Sequence, residues 1–557
     1  MLNKLIAGAP IWTRLRDKAG RLRLYYHTLR HLKHEQITGR ILRRVRKQVG
    51  IGKCPDAPGN LINQLSSKIP FPESASESLT RKDIIQGRFC FLNEWCDLGQ
   101  PVNWQPDMPL LWQFNLHYFD YLHLLEPNEQ HALCRDWMAR NPVGAQPGWH
   151  PYPTSLRIIN WCKAELQDRT IHQSLYRQAA YLQRNLETHL LGNHLLENAR
   201  ALVFAGSFFG DHGEACEWFQ NGIDVYREQT PEQILADGGH FERSPMYHAL
   251  MLEGYVDVLN LLPDDHSDRS WLTDTVRAMS DFLVSMTHPS GRIALFNDAT
   301  REIACSTDRL LTYVDEVLDY QPERKHSFEE TGYYIHTTDD VYLVIDGGPI
   351  GPDYLPAHAH ADIFTYELSI GGVPFIVDTG VYSYESGSMR DYVRSTRAHN
   401  TVCVDGVDQA ECWDRFRVAR RYPPRDVSFA QQDNRSVFEG TFDGYSHLIG
   451  GQIEHRRRIE ADGGEQCIIV KDDVTGHGKH TVRSRIHFHP DVDVRQEGRT
   501  IQLQRNGQTI LLSTGDSQVW VDYGWYCPEF GYRIECNVIV LKADGALPAH
   551  LTYRIDF

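Results

Sequence analysis

The spacing of apolar residues changes near residue 330. From about residue 105 to 320 these residues recur every three to four positions, as on one face of a helix. One example is a set of four leucines, Leu182, Leu186, Leu190 and Leu191; another is the run from Tyr247 to Leu252, which continues into Tyr255, Val258 and Leu259. Short turn sequences at 237–239 and 289–291 separate such runs. The pattern predicts helical hairpins packed around a common axis.

After residue 330 the hydrophobic period becomes two, which is typical of strands. Alternation is clearest at 340–346, 484–489 and 500–504, and Asn506-Gly507 supplies a tight hairpin turn. Many short strands between turns predict an all-β sandwich. We therefore expect an α + β multidomain protein, with a helical domain at 105–325, an antiparallel β-sandwich at 326–557, and a basic arm and linker at 1–104.

Composition is that of a globular protein, but its charge is unevenly placed. A hydrophobic content of 41% and a charged content of 23% are typical of a globular protein. The length of 557 residues predicts two or three domains. The net charge is -16, yet residues 1–50 hold 13 Lys/Arg against 2 Asp/Glu. Two interpretations of this arm stay open: contact with an anionic membrane or polymer, or a solvated basic helix. We expect no nucleic-acid partner, and the pattern gives no oligomeric state.

No apolar run reaches the roughly 18 residues that a membrane span needs. The run Leu5–Ala9 is too short for a secretory signal, and Arg14, Arg16 and Asp17 follow it at once. The 12 cysteines form no CxxC pair, so reduced thiols are expected. These features predict a cytoplasmic protein, with any membrane association confined to its arm.

The first candidate for chemistry is the segment Gly192–Asn198. On a helix, Asn193, His194 and Glu197 share a face because they lie three or four residues apart. Asn193 and His194 can donate hydrogen bonds to a carboxylate, and Glu197 can fix the imidazole tautomer. The alternative is a buried polar contact between helices.

The second candidate is Tyr247. Ser244-Pro245 is a helix start signal, which puts Tyr247 in the first turn, where the helix dipole favours a phenolate. Such a tyrosine can act as a general acid or base. The alternative is a tyrosine packed by its ring and held by its hydroxyl group. Arg243, beside it, is a candidate substrate contact.

The third candidate is the histidine-rich segment 357–401. His358 and His360 are one residue apart, so on an extended strand they point to the same face. His360, Asp378 and His399 are ordinary zinc ligands, which leaves His358 free for chemistry. The alternative is a hydrogen-bonded network without metal. Three tyrosines and two arginines follow in the same segment: Tyr382, Tyr384, Arg390, Tyr392 and Arg394. A guanidinium group can bind a carboxylate or sulfate group through two hydrogen bonds.

A fourth group mixes aromatic and hydrogen-bonding side chains, as sugar-binding walls do. Its members are Trp112, Asn115, His117 and, further on, Tyr152. The alternative is ordinary packing between helices.

Taken together, these segments resemble the heparinase II/III family of polysaccharide lyases and the related alginate and oligoalginate lyases. The resemblance covers most of residues 105–557 and is closest at 192–199, 244–247 and 358–400. It implies an incomplete α/α toroid followed by an antiparallel β-sandwich, one structural zinc and no organic cofactor.

The resemblance also implies a role for each matched residue. Asn193, with His194 beside it, matches the asparagine that neutralises a uronate carboxylate, and Glu197 matches an active-site glutamate. Tyr247 and His358 match the catalytic tyrosine and histidine. His360, Asp378 and His399 resemble the zinc ligands. Tyr382, Tyr384 and Tyr392 compete for the place of a second catalytic tyrosine.

The implied reaction is β-elimination at a 4-linked uronic acid of an anionic polysaccharide. One alternative is a glycoside hydrolase, for which Glu197 and Glu242 are the available carboxylates. The other is a non-catalytic protein that binds polysaccharide during exopolysaccharide assembly. The lack of a signal sequence favours work beside the synthesis of a capsule or exopolysaccharide over extracellular foraging.

Overall fold

A computed structural model describes residues 11–49, 64–65, 67–71 and 78–557. The helices are α1 (Ile11–Leu29), α2 (His34–Val49), α3 (Arg81–Ile85), α4 (Leu110–Tyr118), α5 (Pro127–Arg140), α6 (Pro151–Ala164), α7 (Arg169–Gln183), α8 (Gly192–Phe209), α9 (Ala215–Gln233), α10 (Pro245–Leu261), α11 (Arg269–Ser285), α12 (Thr307–Leu318), α13 (Ser388–Val393) and α14 (Gly444–Leu448). Short 3-10 turns lie at Asp120–Leu124 and Thr396–Ala398. Within the described ranges, no helix has both the length and the apolar character to cross a bilayer.

Helices α4 to α12 pack around one apolar core. The predicted start of α10 is confirmed: the Ser244 hydroxyl accepts a hydrogen bond from the Tyr247 amide at 3.4 Å, and Pro245 is the first helical residue. A continuous helix through the leucines at 182–191 is wrong. Helix α7 ends at Gln183, and α8 begins only at Gly192, where Leu191 and Gly192 take positive φ angles of 66° and 60°.

The end of the predicted linker is built into the helical domain. Residues 78–104 contain α3 and a hairpin of β1 (Arg88–Phe91) and β2 (Glu94–Asp97). Phe89, Phe91 and Trp104 are buried in the helical core. Because large aromatic side chains bury much apolar area, this segment contributes to the core. The rest of the predicted linker lies largely outside the described residues.

The second half of the chain is antiparallel β structure. Its strands are β3 (Ser327–Phe328), β4 (Tyr333–Thr337), β5 (Val341–Asp346), β6 (Tyr366–Ile370), β7 (Val373–Ile376), β8 (Val402–Val404), β9 (Cys412–Trp413), β10 (Arg417–Val418), β11 (Arg425–Gln432), β12 (Arg435–Phe442), β13 (Glu454–Asp462), β14 (Cys467–Thr475), β15 (Lys479–His487), β16 (Asp493–Glu497), β17 (Thr500–Arg505), β18 (Gln508–Thr514), β19 (Gln518–Glu529), β20 (Tyr532–Ala546) and β21 (Ala549–Asp556). Strand order is β11-β12-β13-β14-β21-β18-β17-β16 in one sheet, β19-β20-β15-β8 in a second and β3-β4-β5-β6-β7 in a third.

The strand predictions are confirmed where alternation was clearest, at β5, β15 and β17. The turn between β17 and β18 has Asn506 and Gly507 at φ 48° and 78°, and Arg505 pairs with Gln508 across it. Two positive φ angles are what a two-residue hairpin turn requires. Apolar residues from all three sheets meet in one core.

A smaller apolar cluster joins the two domains. Met246 and Tyr247 of α10 pack there with Val377 of the loop after β7 and with Val538 of β20. Tyr247 therefore stands where the helical domain meets the sheets. The candidate site lies at this junction.

Candidate active site at the domain junction

Asn193 and His194 form the first turn of α8, as the sequence predicted. Gly192, just before them, has a φ angle of 60°, which favours glycine, and a Cβ there would lie 2.4 Å from the Leu355 side chain and 2.9 Å from Glu242 Oε1. Asn193 Nδ2 lies 3.2 Å from both carboxylate oxygens of Glu242, and its backbone amide lies 3.4 Å from one of them. A carboxylate is favourable at a helix N-terminus, so Glu242 both caps α8 and orients Asn193.

Glu187, rather than Glu197, holds the His194 ring. The His194 Nδ1 lies 3.2 Å from Glu187 Oε2. Although burial opposes the imidazolium, the Glu187 carboxylate raises the pKa of His194. Glu197 accepts hydrogen bonds from Arg200 at 3.3 and 3.4 Å, in a buried ion cluster with Asp257.

Tyr247 is paired with Tyr384, and the two hydroxyl oxygens are 2.9 Å apart. Burial raises the pKa of Tyr247 well above its usual value, and the neighbouring Tyr384 raises it further. The phenol of Tyr247 therefore carries a proton. Among the competing tyrosines, Tyr384 is therefore the one at the site. The Tyr392 hydroxyl instead accepts a hydrogen bond from the Trp525 backbone amide at 3.1 Å. The Tyr382 ring lies under the guanidinium of Arg533, at 5.5 Å.

His358 faces Tyr247, with ring centroids 3.9 Å apart. His358 and His360 lie in the loop between β5 and β6, not on the strand that their spacing suggested. Both reach Asp298: His358 Nδ1 donates to Oδ2 at 3.0 Å and His360 Nε2 donates to Oδ1 at 2.9 Å. Because a carboxylate only accepts hydrogen bonds, Asp298 holds the proton of His358 on Nδ1. On the other side of the ring, His358 Nε2 lies 3.4 Å from Glu242 Oε2 and faces the site.

Asp298 is the centre of the site. Arg390 forms a bidentate ion pair with it, with Nη2 2.8 Å from Oδ2. Burial opposes the charge on Asp298, but Arg390 and the two histidines hold the pKa of this carboxyl well below its usual range. Arg390 thus neutralises Asp298, and its expected role as a direct substrate contact finds no support in this geometry.

The candidate metal centre differs from the predicted set by one residue. His399 Nδ1 donates to Asp378 at 2.9 Å, so Asp378 is already engaged as the support of that ring. The side chains that converge with free donor atoms are His360, Asp362 and His399, whose ligand atoms all lie within 4.8 Å of one another. Asp362 therefore joins the two predicted histidines in this cluster, and Asp378 lies on the other side of the His399 ring.

The donor atoms of this cluster fit a zinc ion. His360 Nδ1, His399 Nε2 and both Asp362 carboxylate oxygens are buried without a hydrogen-bond partner among the described residues. A carboxylate on one ring nitrogen leaves the other bare, which is how zinc-binding histidines are usually oriented. Burial raises the pKa of Asp362 to about 6, and a cation would relieve this cost.

Several predicted substrate contacts are structural. Trp112 and His117 are fully buried, and Trp112 Nε1 donates to the Glu94 carbonyl at 2.8 Å. Asn115 donates to the Leu111 carbonyl within α4 at 2.8 Å. Tyr152 does reach the site, with its ring 4.5 Å from that of His194.

The two other predicted arginine contacts support loops. Arg243 donates to the carbonyls of Thr331, Phe241 and Glu330 at 2.9 to 3.1 Å. Arg394 donates to the Ala359 carbonyl at 3.0 Å, inside the histidine loop. Their guanidinium groups hold backbone in place instead of facing the cleft.

Sequence reasoning did not place Asp298, Glu187 or Phe416 in the site. Phe416, between β9 and β10, is 39% exposed and its ring lies 5.1 Å from that of Tyr384. Asp298 is fully buried, and a buried carboxylate needs a partner, but this burial is visible only in the structure. Phe416 carried no sequence signal either.

Comparisons with known proteins agree with this architecture. The family descriptions "Heparinase II/III N-terminus" and "Heparinase II/III-like, C-terminal" match residues 160–327 and 320–552. A heparin-sulfate lyase of Bacteroides stercoris is 24% identical over 477 residues, which is 70% of this chain and 66% of the relative. One from Pedobacter heparinus is 25% identical over 368 residues, 56% of this chain and 54% of the relative. The chain thus spans between half and two thirds of these relatives.

Solved structures show the same fold. A heparinase III structure superposes with a TM-score of 0.68 at 16% identity, over 88% of this chain and 87% of that one. A second heparinase III structure gives a TM-score of 0.66 at 18% identity, over 88% and 86% of the two chains. The adjoining family matches, and the helical part followed by antiparallel sheets, show that this chain belongs to the heparinase II/III family.

Proposed function

We propose that this protein is a polysaccharide lyase that cleaves 4-linked uronic-acid polymers by β-elimination. The observation that carries the proposal is the stacking of Tyr247 on His358, with the Tyr247 hydroxyl on Tyr384. A proton donor and a proton acceptor from different domains meet there. The incomplete α/α toroid implied by the resemblance belongs to the same proposal. Because the relatives are named heparin-sulfate lyases, glycosaminoglycans are the first substrates to test.

The acidity of the C5 proton is the chemical difficulty. The adjacent carboxylate is already negative and must take up more charge in the transition state. Asn193 Nδ2 carries two hydrogens, and His194 is raised toward its charged form by Glu187. Each preorganised donor of this kind contributes about 3 kcal/mol to the transition state.

The proton transfers follow from the hydrogen bond between His358 and Asp298 and from the protonated phenol of Tyr247. His358 Nε2 takes the C5 proton, and its ring becomes an imidazolium stabilised by the carboxylates of Asp298 and Glu242. Tyr247, held as a phenol, gives its proton to the leaving O4. The C4–O4 bond breaks as the C4–C5 double bond forms, and water is not consumed. The reverse assignment, with Tyr247 as base, would need the phenolate that burial disfavours.

A zinc ion at His360, Asp362 and His399 is part of the proposal. When bound, it would cross-link the loop that carries His358 to the segment after α13. Its role would be structural, because His360 is tied to Asp298 beside the site and no substrate atom needs to reach the ion.

The hydrolase alternative is weaker in this geometry. It needs two free carboxylates across a cleft. Glu197 is bound to Arg200, and Glu242 is bound to Asn193.

Tyr247→Phe tests the proposal. We expect kcat to fall about 10²–10⁴-fold with little change in substrate binding, since only the transferred proton is lost. The measurement is ultraviolet absorbance of the unsaturated uronate, over a panel of uronate polysaccharides. Tyr392→Phe is the matched control, because that hydroxyl contacts a backbone amide instead of Tyr247. Wild-type activity in Tyr247→Phe would refute the assignment, and new reducing ends without absorbance would indicate hydrolysis.

A further inference from the structure

The inner face of α1 is fixed to the β domain. Thr28 Oγ1 donates to the Val418 carbonyl at 3.2 Å and accepts from Trp413 Nε1 at 3.1 Å. The Tyr25 ring packs edge-on against Trp413 at 4.9 Å. This face of the helix therefore has its partner within the chain.

The inner face of α2 bridges both domains. Gln36 is buried, and its Nε2 donates to the Leu190 carbonyl at 3.4 Å and to the Tyr354 carbonyl at 3.3 Å. Lys33 forms an ion pair with Glu232 of α9. Leu190 lies three residues before Asn193, and Tyr354 lies four before His358, so the hairpin rests beside the two loops of the site.

The outer face of the same hairpin is apolar and has no partner within the described chain. Apart from Tyr25, which packs on Trp413, six of the fifteen exposed large apolar side chains among the described residues lie between residues 20 and 44. Leu22, Tyr26 and Leu29 follow helical spacing on α1 and are 69%, 65% and 49% exposed. Ile37 and Ile41 form a second stripe on α2, at 46% and 57%. Such concentration marks an interaction surface.

Charge identifies the occupant. Residues 20–44 hold seven Lys/Arg and one acidic residue, Glu35. Arg40 and Arg44 are exposed and one turn apart, as Ile37 and Ile41 are. An anionic polysaccharide could pair with the arginines, but it has no acyl chains in which the apolar stripes could be buried. A second copy of the hairpin would bring the same positive charge.

We propose that the outer face of α1 and α2 docks on an anionic phospholipid surface, with both helices lying in the plane of the interface. Basic residues beside exposed apolar stripes suit such a surface. The docked membrane would lie next to the loops of Asn193 and His358, and the site would then act on polymer close to that membrane. The docking surface is independent of the proposed lyase chemistry.

Vesicle co-sedimentation of the full chain tests the proposal without any polysaccharide. We expect binding to phosphatidylglycerol/phosphatidylcholine vesicles and about tenfold less to pure phosphatidylcholine. Ile37→Ser with Ile41→Ser, and separately Arg40→Glu with Arg44→Glu, should each lower binding to the anionic vesicles by about tenfold or more. Tyr523→Ser is the control, because Tyr523 is 67% exposed on β19, outside the hairpin.

Three results would overturn the proposal. Wild-type protein could stay in the supernatant with anionic vesicles, or the Ile37/Ile41 double variant could bind as the wild type does. Alternatively, the arginine variant could lose binding to an immobilised anionic polysaccharide while wild-type protein ignores vesicles, which would assign the arm to the polymer. Unchanged near-ultraviolet circular dichroism of both double variants would show that they remain folded.

Discussion

Two segments of this chain combine histidines with aromatic and carboxylate side chains, and they behave differently. In the segment around Trp112–Asp120, each polar group of Trp112 and His117 meets a local partner in the core. His117 Nε2 lies 3.0 Å from the Trp104 carbonyl, and His117 Nδ1 accepts from Trp137 Nε1 at 2.9 Å. In the segment 357–401, His358 and His360 converge on a charge from another part of the chain, Asp298. Several buried nitrogen and oxygen atoms there have no hydrogen-bond partner among the described residues.

This difference in hydrogen-bond partners distinguishes residues that stabilise the fold from residues that can bind a ligand or react. A buried polar group that is satisfied by backbone stabilises the fold and has nothing left to bind. Burial lowers the pKa of His117 to about 3, which keeps it neutral in its core position. The bare nitrogens of His360 and His399 are held in place by carboxylates on the opposite side of each ring. The two segments contain similar types of residue. They differ in what their polar groups contact, and therefore in whether any nitrogen is left to bind a ligand.

Asp298→Asn should give the largest effect, because Asp298 joins three cationic or imidazole groups. Breaking a buried ion pair costs about 3–5 kcal/mol of the free energy of unfolding, and loss of the His358 tautomer should lower kcat by about 10³-fold or more. Denaturant unfolding and the absorbance assay measure the two losses. Asp257→Asn, which breaks a buried pair with Arg200, should lose stability while its folded fraction stays active. Equal kcat losses in both variants would contradict the central role of Asp298.

Asp362→Asn should abolish metal binding. Elemental analysis of dialysed wild-type protein should show about one zinc per chain, and this variant should show almost none. Asp378→Asn should weaken zinc affinity about 10–100-fold, because it removes the support of His399 instead of a ligand. Wild-type protein that is metal-free and fully stable would dismiss the zinc site.

Trp112→Phe tests whether Trp112 stabilises the helical core and does not contact substrate. The change removes the hydrogen bond to Glu94 and part of a buried ring, so the free energy of unfolding should fall by about 1–3 kcal/mol. KM and kcat should not change, because Trp112 is fully buried away from the cleft. A rise in KM with unchanged stability would restore Trp112 as a substrate contact.

Phe416→Ala should give the smallest effect, a rise in KM of about two- to tenfold with kcat nearly unchanged. An exposed aromatic ring beside Tyr384 offers a face for a sugar ring, and one such contact contributes about 0.5–1.5 kcal/mol. Tyr523→Ala, exposed elsewhere, should not alter KM. A fall in kcat alone would mean that Phe416 acts by supporting Tyr384.

Local patterns were sufficient for much of the fold and for the position of Tyr247 in its helix. The Ser244-Pro245 start signal placed Tyr247 in the first turn of α10, and Asn506-Gly507 fixed the β17–β18 turn, because both depend on neighbouring residues. The leucines at 182–191 misled for the same reason: their spacing is helical, but α7 ends at Gln183, and positive φ angles at Leu191 and Gly192 precede the turns of α8.

The sequence by itself determined the two kinds of domain, the family resemblance and the candidates Asn193, Tyr247 and His358, because periodicity and short motifs are local properties. The tertiary structure decided which groups hold them. Asp298 lies 60 residues before His358 along the chain, and Glu242 lies 49 after Asn193. It also brought Asp362 together with His360 and His399, and Tyr384 together with Tyr247, since hydrogen bonds and burial depend on distances that folding alone establishes.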